Sequence, residues 1–287
     1  MEKIPLDVLV KRIKSVSTVP DTVTKILELT ANSNTRIQTL EEVVKSDPTL
    51  TANVLRMVNS SYFALQDKVV EVRRAILLLG FNSMREIAVS ASICEYFQSD
   101  KNIGNYSRAG LWRHSVAVGL TSQTIAQRIV DIDNDETLFT IGILHDIGIV
   151  LFDQYLHEIF LKIMAHPDLA SKGMLNLEWE ILGFDHNVLA SKVVKNWGFP
   201  DNISKILYYL QDFDRLGDYR KHGAIIYLAN MFCNYFDIGF VDTKKTNPEL
   251  YHKALNILDF EANDVKILIN VLPRELEKGY ELMGIVD

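Results

Sequence analysis

The sequence predicts an all-α, compact, multi-helix protein, and three observations carry that prediction. Apolar residues recur at helical spacing almost throughout, while strand alternation is nearly absent. Gly80, Gly104, Gly183, Gly198 and Gly239 punctuate the periodic stretches as stops or turns. About half of the 287 residues (48%) are apolar, enough for a full core. No repeat of fixed period supports a solenoid.

The elements follow in order. Val23, Ile26, Leu27 and Thr30 keep i, i+3, i+4, i+7 spacing after Pro20, whose fixed φ suits a first helical turn. Leu40, Val43 and Val44 make a short helix ending at Ser46, because Pro48 disfavours the α region at Asp47. Asp47 then caps a third helix carrying Leu50, Val54, Leu55 and Val58. Further helices are expected over Val72–Leu79, Ser83–Gln98, Leu111–Ile129, Glu136–Tyr155, Leu177–Leu182, Asn187–Trp197, Asp201–Leu210, Gly223–Tyr235, Pro248–Leu258 and Glu261–Tyr280. The polar run Phe213–Tyr219 reads as a loop and a candidate boundary.

Composition limits the function classes. With 30 basic and 37 acidic side chains the net charge is −7, which repels a phosphate backbone and disfavours nucleic acid as a partner. Lys244-Lys245 is too small a patch to reverse that. Cys94 and Cys233 form no Cys-x-x-Cys pair, so a disulfide scaffold and a thiolate zinc site are not expected, and a reducing cytoplasm fits. Met1–Pro5 carries no apolar h-region, and no unbroken apolar run of about eighteen residues is present, so neither a signal peptide nor a membrane span is expected. Nucleophile-elbow, P-loop and dinucleotide-binding motifs are missing, and neither cysteine has a neighbouring histidine in the sequence.

Three positions carry candidate chemistry. His145-Asp146 is a polar dipeptide in the apolar run Gly142–Gly148, and burying such a pair is costly unless each member is paired or bound to a cation. Two readings stand: a buried His–Asp pair tying helices together, or one nitrogen and one oxygen for the same metal. His114 shares a helical face with Leu111 and Val118, so it is either a satisfied core histidine or the third ligand. His186, just before a helix, either caps it or faces the same cavity. His157, His166, His222 and His252 read as surface or capping residues.

The order of segments resembles a known family. Asp47-Pro48-Thr49-Leu50 through Asn59-Ser60-Ser61-Tyr62-Phe63 resembles the signature of HDOD domains, the HD-related output domains of bacterial signalling proteins. In that signature Asp47, Pro48, Asn59, Ser60, Tyr62 and Phe63 read as structural. Ala75–Gly80, Trp112-Arg113-His114-Ser115, Gly142–Gly148, the run Glu180 to His186 and Trp197-Gly198-Phe199-Pro200 resemble the remaining family segments in the same order. The resemblance spans about 12–212, which leaves 213–287 as a helical extension packed on the domain and carrying the last HD-like helix.

The resemblance implies an HD-superfamily-like fold and a test of the site. HD phosphohydrolases hold one or two divalent metals with a His, a His-Asp and a final Asp. The first three correspond to His114, His145 and Asp146, whereas Asn230 stands where the final Asp is expected. Tyr208-Tyr209 stands where HD-GYP enzymes carry a second histidine pair. Fewer anionic oxygens mean a weaker site for a hard dication. The expectation is therefore a signalling module without catalysis, acting on a protein partner or small ligand. It requires no cofactor, holds at most a weakly bound divalent metal, and leaves room for a homodimer. The alternative is a metal-dependent phosphohydrolase acting on a nucleotide or cyclic dinucleotide, with Arg113 and Lys192 the nearest cations in sequence.

Overall fold

The computed structural model describes residues 5–16, 21–32, 34–60, 63, 65–99, 102–130, 137–240 and 247–279. Pro20, Ser61, Tyr62, Lys244, Lys245 and 1–4 lie outside them. Near the N-terminus the helices are α1 (Leu6–Val16), α2 (Asp21–Ala31), α3 (Ile37–Lys45), α4 (Pro48–Val58) and α5 (Val72–Ile93). A two-residue hairpin, β1 (Asn102–Ile103) and β2 (Tyr106–Ser107), leads into α6 (Arg108–Ile125). Then come α7 (Thr137–Leu144), α8 (Ile147–Tyr155), α9 (His157–Met164), α10 (Leu169–Lys172) and α11 (Met174–Leu182). The chain continues through α12 (His186–Asn196), α13 (Asp201–Tyr208), α14 (Arg220–Tyr235), α15 (Pro248–Ile257) and α16 (Ala262–Lys278). The all-α expectation holds.

Helix α6 is the axis of the molecule. From Gly110 to Ile125 only Arg113 and Gln123 escape full burial, the pattern of a helix covered on all sides. Helices α7, α14 and α16 pack directly on it. A Cβ on Gly142 of α7 would fall on the Cα and nitrogen of Gly119 in α6, so the two backbones touch there. That crossing brings the α6 residue His114 level with the end of α7.

The family-like segment 47–63 does structural work. Asp47 caps α4 by accepting from the Leu50 amide (3.0 Å), with Pro48 at its first position. Asn59 donates through Nδ2 to the carbonyls of Leu55 (2.6 Å) and Val69 (2.7 Å), and its Oδ1 accepts from the Val69 amide (2.7 Å). One carboxamide thus closes the end of α4 and clamps the strand-like approach to α5. Ser60 is buried and Phe63 packs half-buried against the core. Asn59→Ala should cost about 2–3 kcal/mol in denaturant unfolding, because both polar groups of buried Val69 lose their partner. A loss within error of zero would refute the clamp.

Four expectations change. The helix expected over 136–155 breaks into α7 and α8, because His145 and Asp146 form a turn between them. The loop expected at 213–219 is 3-10 turn interrupted at Gly217, with Phe213 and Leu216 buried. Helices α1 and α9 and the short α10 are additions to the expected set, as is the hairpin. Finally, the stretches 72–97 and 137–155 are long and apolar enough to cross a membrane by length and composition. Both are interrupted, by the non-helical backbone of Gly80 (φ 80°, ψ 175°) and by the His145–Asp146 turn. In the second, 83% of the apolar window is buried inside the protein.

Candidate metal centre

His114, His145 and Asp146 meet at one point, each offering a ligand atom within 4.8 Å of the others. His114 comes from the first half of α6, and the other two from the turn between α7 and α8. The Asp146 side chain does not cap α8, which leaves its carboxylate to the site. Its Oδ2 lies 3.1 Å from His145 Nε2 and 3.8 Å from His114 Nε2.

Hydrogen bonding fixes which imidazole nitrogens carry lone pairs. His114 Nδ1 lies 3.2 Å from the Ile238 carbonyl, which only accepts, so Nδ1 donates and Nε2 is bare. His145 Nδ1 donates to the Gly142 carbonyl (2.7 Å), and its Nε2 is buried and makes no hydrogen bond. Asn230 of α14 places Oδ1 3.1 Å from His114 Nε2, two electron-pair donors face to face. Rotated by 180°, its amide would instead donate to that nitrogen.

Imidazole nitrogens of His114 and His145 and the Asp146 carboxylate thus lie within 4.8 Å of one another, with the Asn230 amide oxygen 3.1 Å from His114 Nε2. His114, His145, Asp146 and Asn230 fit one divalent cation. When bound, such an ion supplies positive charge and Lewis acidity at that point.

The electrostatics favour the ligating forms. Burial, with help from neighbouring His145, pushes the His114 pKa down to about 4, so the imidazole stays neutral at pH 7. Burial works against the charge of Asp146, but His145, then His186 and His114, outweigh it and hold the carboxyl well below its ordinary range.

His186 joins the site from the other side. As the first residue of α12, it sets Nε2 3.6 Å from Asp146 Oδ1 and donates through Nδ1 to Glu178 Oε2 (2.8 Å). Its backbone amide donates to the same carboxylate oxygen (2.9 Å). Burial disfavours its charge, but Glu178, followed by Asp146 and Asp185, raises the pKa to about 10 and keeps the ring cationic. An imidazolium therefore stands beside Asp146 Oδ1.

Glu178 is the residue that the sequence reading misses. The family-like run points to Glu180, which is exposed and paired with Lys172 at 2.9 Å. The signal lay in the apolar stripe of α11: Met174, Leu177 and Leu182 are buried, and Glu178 is the one carboxylate on that face. Tyr208 and Tyr209 pack on each other (4.7 Å between ring centroids) and do not line the cavity, where Leu210 and Gln211 do. Arg113 and Lys192 also lie outside its lining.

The site floors a cavity of about 980 Å³ walled by α11, α12 and α14. Among the described lining residues Lys172 is the single Lys or Arg, and it is tied to Glu180 and, at 3.6 Å, to Asp168. The buried thiols of Cys94 and Cys233 are pushed up to about 12 by burial, so neither is a nucleophile at neutral pH.

The profile of the HDOD domain matches residues 16–213. The chain belongs to the HDOD family. Solved structures share the fold over nearly the whole chain. An HDOD domain protein of unknown function from Geobacter sulfurreducens aligns with TM-score 0.77 at 22% identity, covering 96% of this chain and 97% of that one. A protein from Shewanella amazonensis SB2B, provisionally named a phosphohydrolase, gives 0.72 at 19% identity over 96% and 97%. A protein from Marinobacter aquaeolei VT8, provisionally named a signal transduction protein, gives 0.78 at 18% over 96% and 61%. An uncharacterized protein of Treponema pallidum (strain Nichols) is 18% identical over 227 residues, 79% of this chain. The matched segment spans 44% of that curated relative's length.

Proposed function

We propose that this HDOD protein is a regulatory module of bacterial signalling that binds a small ligand or protein partner in its HD-type cavity and does not hydrolyse phosphoesters. The observation that carries this reading is the charge inventory of the cavity floor. Among the described residues Asp146 is the one carboxylate grouped with the His114 and His145 imidazoles; Asn230 is neutral, and Glu178 is committed to His186. Phosphoryl transfer relies on cations that neutralise the equatorial oxygens. Lys172, the sole Lys or Arg among the described lining residues, is already paired. A single divalent ion in this donor set is weakly held and serves as a tie between α6 and the α7–α8 turn.

The competing reading, a metal-dependent phosphohydrolase, draws on the convergence of His114, His145 and Asp146. One experiment separates the two. Chelator-stripped protein reloaded with Mn²⁺ or Co²⁺ should release no p-nitrophenol from bis(p-nitrophenyl) phosphate and leave cyclic dinucleotides intact. Turnover that disappears in Asp146→Ala would establish the enzyme. Asn230→Asp should tighten Mn²⁺ binding by about tenfold or more, because a carboxylate replaces an amide oxygen. Equal affinity in titration calorimetry would remove Asn230 from the donor set.

A further inference from the structure

Exposed apolar side chains gather at one place on the surface. Of the ten large ones exposed among the described residues, three fall within nine positions: Val70 (67%), Leu77 (63%) and Leu78 (52%). Scattered single residues of this kind are ordinary, whereas a cluster calls for a partner. None of the three lines the cavity. Leu77 and Leu78 stand on the solvent face of α5, and Val70 just before its cap, Glu71. Arg73 and Arg74 precede the two leucines by one turn, in the i, i+4 rows 73–77 and 74–78. Val72, Ala75 and Ile76 form the buried side of the same turns. Packing thus accounts for Ala75 and Ile76 in the family-like segment Ala75–Gly80 and leaves Leu77-Leu78 unexplained.

The arginines of this face are loosely held. Arg73 reaches Glu41 only at 4.0 Å, and that carboxylate already takes Lys45 at 2.5 Å. Arg74 meets Asp67 at 3.5 Å, with both side chains more than half exposed. Exposed pairs of this length contribute little, and a guanidinium has five N–H donors, so both remain able to grip another carboxylate. Over 70–80 the two arginines outnumber the single acid, Glu71, in a chain whose net charge is −7. The face is also held in place: α2, α3 and α4 pack on α5, and Asn59 clamps Val69 beside it.

We propose that the face of α5 made by Arg73, Arg74, Leu77 and Leu78 docks an amphipathic helix of a partner protein, one with apolar side chains along a stripe and carboxylates beside it. The leucines take the apolar stripe and the arginines the carboxylates, the complementarity of a helix laid on a preformed surface. A second copy of this chain fits less well, because a two-fold contact sets the face against itself and brings arginines without acids to match them. A membrane fits less well too. A short peptide meets only the charges within a Debye length of about 8 Å, whereas an anionic bilayer meets the whole molecule and its net charge of −7. The site goes beyond the regulatory reading of the cavity: it needs no occupant there, and phosphoester turnover would leave it standing.

The test uses the full chain and labelled synthetic peptides of about 16 residues, long enough for several helical turns, read by fluorescence anisotropy. One peptide carries Leu at i, i+3, i+4, i+7 spacing with Glu on the flanks, a second has Lys in place of each Glu, and a third scrambles the first. The Glu peptide is expected to bind saturably and to weaken as salt is raised, with the other two at least about tenfold weaker. Leu77→Ser and Leu78→Ser should each weaken it about tenfold. Reversing both arginines, Arg73→Glu with Arg74→Glu, should invert the preference so that the Lys peptide binds more tightly. All four side chains face solvent, so the variants should unfold thermally as wild type does, and the arginine reversal still decides if a serine variant fails to fold.

Lack of saturable binding by the Glu peptide, equal binding of the Lys or scrambled peptide, or unchanged affinity in the leucine variants would each overturn the inference. A wild-type dimer in sedimentation that Leu77→Ser dissociates would assign the face to a second copy instead. Flotation with phosphatidylglycerol vesicles, lost in the same variant, would assign it to a membrane.

Discussion

Glu178→Ala is expected to destabilise the protein by about 3–5 kcal/mol in denaturant unfolding, the usual cost of removing one partner from a buried charged pair. Glu178 is fully buried, and it accepts both from His186 Nδ1 and from the His186 backbone amide. The second of these bonds satisfies one of the amide groups left open at the start of α12, alongside the Asp185 cap on Val188 (2.8 Å). Alanine therefore removes a counter-charge and a helix cap together. Glu178→Gln keeps the shape and can keep the cap, so it should recover part of the loss.

The same pair gives a pH signature that a packing role would not. The folded-state pKa of His186 is raised to about 10 from 6.5, against burial, by Glu178 and then Asp146 and Asp185. A raised histidine stabilises the fold fully below its unfolded pKa and loses that contribution as pH rises through the folded value. Wild-type stability from this group should therefore decline from about pH 6.5 upward and level off above pH 10. Glu178→Gln should flatten that slope. Equal slopes in wild type and variant would show that the carboxylate does not hold the proton on His186.

The helices were readable because their burial is one-sided and periodic, as in α4, where Leu50, Val54 and Val58 face inward. Boundaries set by local chemistry, such as Asp47-Pro48, were equally plain. Two features escaped for physical reasons. Helix α7 and the first six residues of α8 are buried on almost every face, so periodicity gives no sign of the turn at His145–Asp146; the buried residues on both sides read as one helix. The partnership of Glu178 with His186 depends on α11 and α12 folding back through Gly183, whose φ of 84° allows the reversal. The family-like run starts at Glu180, two residues away and on the solvent face. Of the site, His114, His145 and Asp146 were legible as side chains of unusual cost in apolar surroundings.

Gly148→Ala should lower stability by about 3 kcal/mol or more, although in an open helical position the same change gains about 1 kcal/mol. The reason is the seam between α8 and α12. A Cβ on Gly148 would fall on the carbonyl oxygen of His186, with the carbonyl carbon at 2.7 Å and Cα at 2.9 Å. These are backbone atoms at the start of a helix, not the end of a flexible side chain, so relief requires α12 to move as a body. Overpacking against backbone of this kind costs more than the helical propensity returns. The displacement also falls on the residue that touches Asp146 at 3.6 Å and Glu178 at 2.8 Å, so the variant should lose part of the His186 pH slope along with its stability. Thermal and denaturant unfolding against pH would measure both effects. A variant as stable as wild type, with its pH slope intact, would mean that α8 and α12 are not in backbone contact and that His186 is not held over the cavity floor by this seam.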